Sequence, residues 1–362
     1  MDHYWNIIVQ SYTGYAGYLW HEITHPSWHN YVYWLLGLLA MFFAAEWARP
    51  WRERQKRLRR DFFLDLFYVF FNAFLFSLII HNAASNVVVD AVNEGIWALF
   101  GVDLQRVNPL AQAPLWCVLL LGFVVRDFVQ WWIHRLLHAS PFLWQFHKVH
   151  HSVQEMGFAA YMRYHWMENI VYRSLEYMPL ALLGIGLYDF FIIHIFTLAV
   201  GYYNHSNLSI PSRYTGAALG LLLGLGAATA LDLPGAAGIV LAMLGGGLSG
   251  WFVLSRGMKL VFNHPQMHIW HHALNLPEGR QLGVHFGLTL AIWDHLFKTA
   301  YVPHDGRDIP LGFPGVETFP QSFLEQARYG LGWRKHPPAK GAPTSPPSPA
   351  RRPVVPGADR AR

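Results

Sequence analysis

Apolar runs long enough to cross a membrane, separated by short polar stretches, make up most of this chain. The first run, Tyr31 to Ala48, follows thirty residues without Lys or Arg and precedes PWRERQKRLRR (50–60), which is densely basic. Basic loops are retained in the cytoplasm, so the pattern predicts residues 1–30 outside and 50–60 inside. A second span, Phe62 to about Ile80, returns outward, and VVVDAVNEGIWALF (87–100) reads as an amphipathic helix along the interface. The third span, Pro114 to about Ile133, comes back in and delivers His134 at its inner end. About 20 residues suffice for each crossing.

Two later apolar tracts are constrained by where they must end. Residues 177–203 are too short to cross twice at about 1.5 Å per residue, and one crossing would strand His205 outside. A re-entrant hairpin broken near Gly184, Gly186 and Asp189 returns the chain inward. Residues 214–254 are Gly-rich and apolar, with a turn expected at Asp232-Leu233-Pro234; two passes around it again return inward, with close packing through small residues. These readings divide the chain into an extracytoplasmic segment 1–30, a membrane-embedded domain 31–333 and a tail 334–362. The tail is Pro-rich, basic and nearly free of large apolar groups, so it is expected to be disordered.

Composition supports the membrane reading. Of the 362 residues 53% are hydrophobic and 14% charged, against about 25% charged in soluble domains. The formal charge of +5 does not indicate nucleic acid, because the basic residues sit beside apolar segments and in the tail, where they serve topology and contacts to anionic lipid. The single cysteine, Cys117, excludes an intramolecular disulfide and a Cys-rich metal site.

The chemistry lies in the histidines. HRLLHASPFLWQFHKVHH (134–151) carries His134 and His138 four apart, then His147, His150 and His151 three and four apart; on helices each set shares a face. HPQMHIWHH (264–272) repeats the second spacing with His268, His271 and His272. Neutral imidazole is the commonest nitrogen ligand for iron, zinc, copper or nickel. Eight histidines in one HxxxH and two HxxHH sets exceed what one tetrahedral ion needs and suggest two metal ions. A single buried histidine is more often a hydrogen-bonded structural group; three sets assignable to one membrane face are not readily explained that way.

The pattern HxxxH, HxxHH, HxxHH resembles that of the fatty acid hydroxylase/sterol desaturase superfamily of integral-membrane di-iron oxygenases. HKVHHS (147–152), RYHWME (163–168), NHSN (204–207), NHPQMHIWHHA (263–273) and GVHFGLTLAIWDHLFKT (283–299) resemble family segments in family order, over about residues 115–303. The resemblance implies an all-α, multi-pass membrane protein with a cytoplasmic histidine-rich helical cap holding a di-metal site. It implies iron at His134, His138, His147, His150, His151, His268, His271 and His272, with His205 as a ninth ligand and zinc as a possible substitute. It also implies O₂-dependent hydroxylation or desaturation of a lipid. Because no haem, flavin or nicotinamide segment is present, electrons are expected from a separate donor protein. The tract 214–254 departs from the family pattern, where a short connection is expected between NHSN and the last histidine set.

Further residues are candidates around these sets. Ligating imidazoles usually need an acceptor for the other ring nitrogen, and Asp127, Glu168 and Asp294 are the carboxylates placed for it; salt bridges Asp127–Arg126 and Arg163–Glu168 are the alternative use. His285, His295 and His165 could be ligands, orienting groups or surface residues. Trp131, Trp132, Trp144, Phe146, Tyr161, Trp166 and Trp270 could wall a lipid channel or anchor at the interface. HEITH (21–25) matches the HExxH zinc-protease motif, but Pro26 disfavours helix at His25 and the segment is expected across the membrane from the other sets. A zinc-dependent membrane hydrolase, a histidine-relay transporter and a non-catalytic relative are the competing readings; few ionisable groups in the first two spans count against the transporter.

Overall fold

The structure, a computed structural model, describes residues 2–77, 82–103, 108–231, 233 and 235–332. The tail 334–362, the end of the second span (78–80) and the turn residues Asp232 and Pro234 lie outside them. Among the described residues all regular structure is helical, with two isolated β-bridges, Phe262 with Leu290 and Ala273 with Leu311.

Helix α1 (Asp2–Thr24) and helix α4 (Asn82–Phe100) pack on each other, with the His3 ring 2.8 Å from the Asp90 carboxylate. A helix therefore covers the expected stretch 87–100. Most of the segment 1–30, expected outside the membrane, is helix α1. HEITH ends that helix: Thr24 is its last residue, and the Glu22 carboxylate accepts from the Tyr31 backbone N–H at 2.9 Å instead of facing its histidines.

Helix α2 (Tyr31–Ala48) and helix α5 (Leu115–Ala139) are long and apolar enough to cross a membrane; helix α3 (Phe62–Leu75) is shorter and ends in a π-helical turn. Helices α7 (Trp166–Leu182) and α8 (Leu187–His205) are joined by a turn at the expected break near Gly184, and each packs on α5 more than on the other. Gly184 takes φ +74°, a left-handed turn conformation open to glycine at little cost. Together the two helices reach beyond the apolar tract, because α7 begins at Trp166, eleven residues before residue 177.

Helix α5 is joined to α7 and α8 by one buried polar cluster. Arg126 bonds Glu176 and Thr197 and lies 3.1 Å from His194 Nδ1, and Gln130 Nε2 donates to Glu176 at 3.2 Å. Inside an apolar layer such groups are costly unless paired, so the cluster fixes how the three helices meet. Among the described residues, the alternative pairs Asp127–Arg126 and Arg163–Glu168 do not form; Arg163 instead bonds Asp61 (2.8 Å) and Asp65 (3.3 Å).

The Gly-rich tract forms an antiparallel pair, α9 (Ser212–Ala230) and α10 (Gly235–Val261), the second long and apolar enough to cross a membrane and only 6% buried. Gly216, Gly220 and Gly224 face Gly250, Gly246 and Ala242 so closely that a Cβ on Gly216 or Gly220 would collide with the opposite backbone. The pair exposes Leu222, Leu223, Leu241, Leu244 and Leu248, and among the described residues its main packing against the rest of the chain is near its base.

Candidate metal centre

One corner of the chain aligns the first two histidine sets. Helix α5 extends past Ile133 to Ala139, so His134 and His138 sit on its last turns. Ser140 ends it and starts helix α6 (Pro141–His151), its hydroxyl accepting from Leu143 N at 3.3 Å, with Pro141 in the first turn. Proline lacks the N–H to continue a helix but suits a first turn, so the chain bends at Ser140 and α6 folds back. His138 Nε2 and His151 Nε2 then lie 3.1 Å apart. The last set stands on helix α11 (Pro265–His271), again opened by proline, with His272 at its C-terminal cap.

The structure gathers all nine candidate histidines into two groups. His134, His138, His147, His151 and His271 form one; His150, His205, His268 and His272 form the other, and within each the ring nitrogens lie within 4.8 Å of one another. In the four-membered group the Nε2 atoms are 3.2 Å apart for His150–His205, 2.9 Å for His205–His268 and 3.2 Å for His268–His272. The groups adjoin, since the His150 and His151 ring centroids are 5.6 Å apart and those of His151 and His272 4.5 Å.

Tautomers decide what these groups can hold. A carbonyl or carboxylate only accepts, so a ring nitrogen bonded to one must carry the proton and leave the other nitrogen as a bare lone pair. His134, His138 and His271 donate from Nδ1 to the carbonyls of Phe286 (2.9 Å), Leu282 (3.1 Å) and Val284 (2.8 Å), and His147 Nδ1 to Glu168 (2.7 Å). His150 and His205 do the same to Arg163 O (3.2 Å) and Gly201 O (2.9 Å). Six lone pairs therefore turn inward, and those of His150 and His205 face each other with no proton to share. His147 Nε2 and His271 Nε2 are buried without a hydrogen-bond partner among the described residues. Buried acceptors converging without donors are costly, and a cation removes that cost; the donor sets fit transition-metal ions. Burial holds His147, His150, His151, His268, His271 and His272 well below the usual imidazole range, reinforced by neighbouring imidazoles, so the neutral, ligating form prevails at neutral pH.

The three candidate carboxylates divide. Glu168 meets a histidine directly: Oε2 accepts from His147, while Oε1 accepts from His165 N at 3.3 Å and completes the cap of α7. Asp127 and Asp294, both fully buried, contact no histidine of either group. Asp294 accepts from Phe286 N and Gly287 N (2.9 Å each), and Asp127 from Thr289 N (3.0 Å), Leu290 N (3.1 Å) and Trp293 Nε1 (2.8 Å). They pin the loop whose carbonyls orient the imidazoles.

Other candidates fall outside the groups. His285 is buried at φ +53° with Nε2 2.9 Å from Tyr301 N, His295 is exposed, and His165 caps α7. Trp131 is spent on Asp294, donating at 3.1 Å, whereas Trp144 packs beside His138 with ring centroids 4.9 Å apart. Sequence reasoning missed Glu46, which accepts from Phe158 N (2.8 Å) and Asn207 N (2.7 Å) and ties α2 to the segments flanking the centre. An acidic residue near the end of an apolar span was the available signal.

Residues 119–223 match the fatty acid hydroxylase family, a stretch covering α5 to α8 and ending within α9, before the last histidine set. The chain is 27% identical over 215 residues to the ornithine lipid hydroxylase OlsE of Rhizobium tropici, covering 59% of this chain and 50% of that protein. It is 31% identical over 98 residues to the very-long-chain aldehyde decarbonylase GL1-10 of Oryza sativa subsp. japonica, covering 27% of this chain and 32% of that one. The chain thus spans half or less of these relatives, and no solved structure matches it. The match over residues 119–223 and the lipid hydroxylase relative support a likeness of this region to the fatty acid hydroxylase superfamily.

Proposed function

We propose that the protein is a membrane-bound, O₂-dependent lipid hydroxylase whose nine histidines hold a pair of iron ions. The observation that carries this is the inward convergence of six deprotonated imidazole nitrogens in two adjoining groups, on a chain with three helices able to cross a membrane. His134, His138, His147, His151 and His271 would hold one ion and His150, His205, His268 and His272 the other. Bound iron supplies activation of O₂ and cleavage of an unactivated C–H bond.

The chain's own groups supply orientation and dryness. Phe286, Leu282, Val284, Arg163 and Gly201 carbonyls fix the tautomers, and Glu168 raises the basicity of His147. Burial of the histidines excludes water from the reacting space. Electrons come from a separate donor protein, and the centre faces the cytoplasm beside the basic loop 50–60. Hydroxylation is favoured over desaturation by the relative named as an ornithine lipid hydroxylase, which also points to a polar membrane lipid as substrate.

The test is lipid mass spectrometry of cells with and without the protein, with His150→Ala as control. Gain of one oxygen atom in a lipid class, lost in the variant, is expected. An unchanged lipid profile, together with zinc-dependent hydrolysis by the purified protein, would favour a membrane hydrolase instead.

A further inference from the structure

Helices α6 and α11 each carry members of both histidine groups, but the carbonyls that orient the two groups come from different segments. Three members of the five-histidine group lean on alternate residues of one loop: His138 on Leu282 O, His271 on Val284 O and His134 on Phe286 O. That loop has no regular structure of its own and is held by Asp294. Oδ1 of Asp294 accepts from Phe286 N, from Trp131 Nε1 at 3.1 Å and from the Thr299 hydroxyl at 2.6 Å, while Oδ2 accepts from Gly287 N.

The four-histidine group is oriented from elsewhere. His205 bonds the carbonyl of Gly201, one turn back in its own helix. His150 bonds the carbonyl of Arg163, a residue anchored by its side chain to Asp61 and Asp65. Among the described residues, no carbonyl of the 282–286 ladder accepts from an imidazole of this group.

We propose that the two metal positions are oriented independently, so that each loads and loses its ion separately. Asp294 is a positioning residue for the five-histidine position, and Arg163 for the four-histidine position. The inference rests on the reading that both groups hold metal. Removing the Asp294 charge leaves two backbone N–H groups weakly held and lets the carbonyl ladder drift. Three imidazoles then lose their common aim, while His150 and His205 keep theirs. Loss of such an orienting partner weakens metal retention about 10–100-fold.

The test compares wild-type protein, Asp294→Asn and Arg163→Lys, each purified in detergent, loaded with ⁵⁷Fe(II) and dialysed against graded chelator. Iron per chain and the Mössbauer spectrum are read together. Wild type is expected to show two quadrupole doublets; Asp294→Asn loses one about 10–100-fold more readily, and Arg163→Lys loses the other. Thr299→Val and Asp61→Asn, which each remove one bond from the same anchors, repeat the pattern more mildly should the first pair fail to fold. Loss of the same doublet in both variants, or of both doublets in step, overturns the inference. Wild-type protein that retains no iron overturns the metal reading itself, and this inference with it.

Discussion

Glu168 serves two partners at once: one oxygen accepts from His147 Nδ1 at 2.7 Å and the other from the backbone N–H of His165 at 3.3 Å. The start of α7 and the aim of a candidate ligand are therefore set by one side chain. Glu168→Gln keeps the size and an acceptor but removes the charge that makes His147 a stronger donor to metal. Iron retention measured by dialysis is expected to fall about 10–100-fold with helical content by circular dichroism unchanged. Unchanged retention would show that the pair only caps the helix.

His205 stands outside the three motif sets, yet its Nε2 lies 2.9 Å from His268 Nε2 and 3.2 Å from His150 Nε2. Replacing it by Ala removes one of four nitrogens from its group. The variant is expected to bind one iron fewer and to yield no oxidised lipid, while His295→Ala, at an exposed position, changes neither. Full iron content in His205→Ala would remove it from the ligand set.

Acid should release metal and destabilise the fold together. Burial lowers the imidazoles of His147, His150, His151, His268, His271 and His272 below their ordinary value of 6.5. Above about pH 6.5 these groups are neutral in folded and unfolded chains alike, so stability is fully present there. As pH falls below 6.5 the unfolded chain takes up protons that the folded one refuses, and stability declines. The melting temperature of metal-free protein in detergent is expected to drop on acidification through this range; a flat profile between pH 7 and 5 would show that the histidines are accessible to protons in the folded state.

The hairpin α9–α10 offers a test that leaves the centre alone. A Cβ on Gly246 would strike the Gly220 carbonyl, while one on Gly245 meets open space. Gly246→Ala is expected to destabilise the pair by about 1–3 kcal/mol, read as faster proteolysis within 212–261. Gly245→Ala is expected to be neutral or stabilising by up to about 1 kcal/mol. Iron content should be the same in both, because the hairpin's main packing against the core is near its base.

The buried pair Arg126–Glu176 is expected to behave as a clamp. Removing one partner, as in Arg126→Met, leaves an unpaired buried carboxylate and should cost about 3–5 kcal/mol, while Arg126→Met with Glu176→Leu should recover most of it. Thermal unfolding in detergent distinguishes the two. Equal destabilisation by the single and double changes would mean that the pair's hydrogen bonds to Thr197 and His194 carry the contact instead.

Local patterns were legible because they depend on residues a few positions apart. The apolar spans, the break at Gly184 and the shared helical faces of HxxxH and HxxHH all follow from helix geometry and hydropathy, and the helices appear where those signals lie. The motif histidines are also the residues that converge. What the chain alone left open was partnership across long separations. How nine histidines divide into five and four depends on the turn at Ser140 and on where α8 and α11 end, so His150 and His151, adjacent in sequence, fall into different groups. Asp127 and Asp294 were legible as buried carboxylates near the centre, but that they grip backbone more than 160 and only a few residues away, respectively, and orient imidazoles through peptide carbonyls, is decided by folding. Backbone carbonyls carry no residue-type signature, since every residue has one; only their placement in three dimensions makes Leu282, Val284 and Phe286 part of the centre.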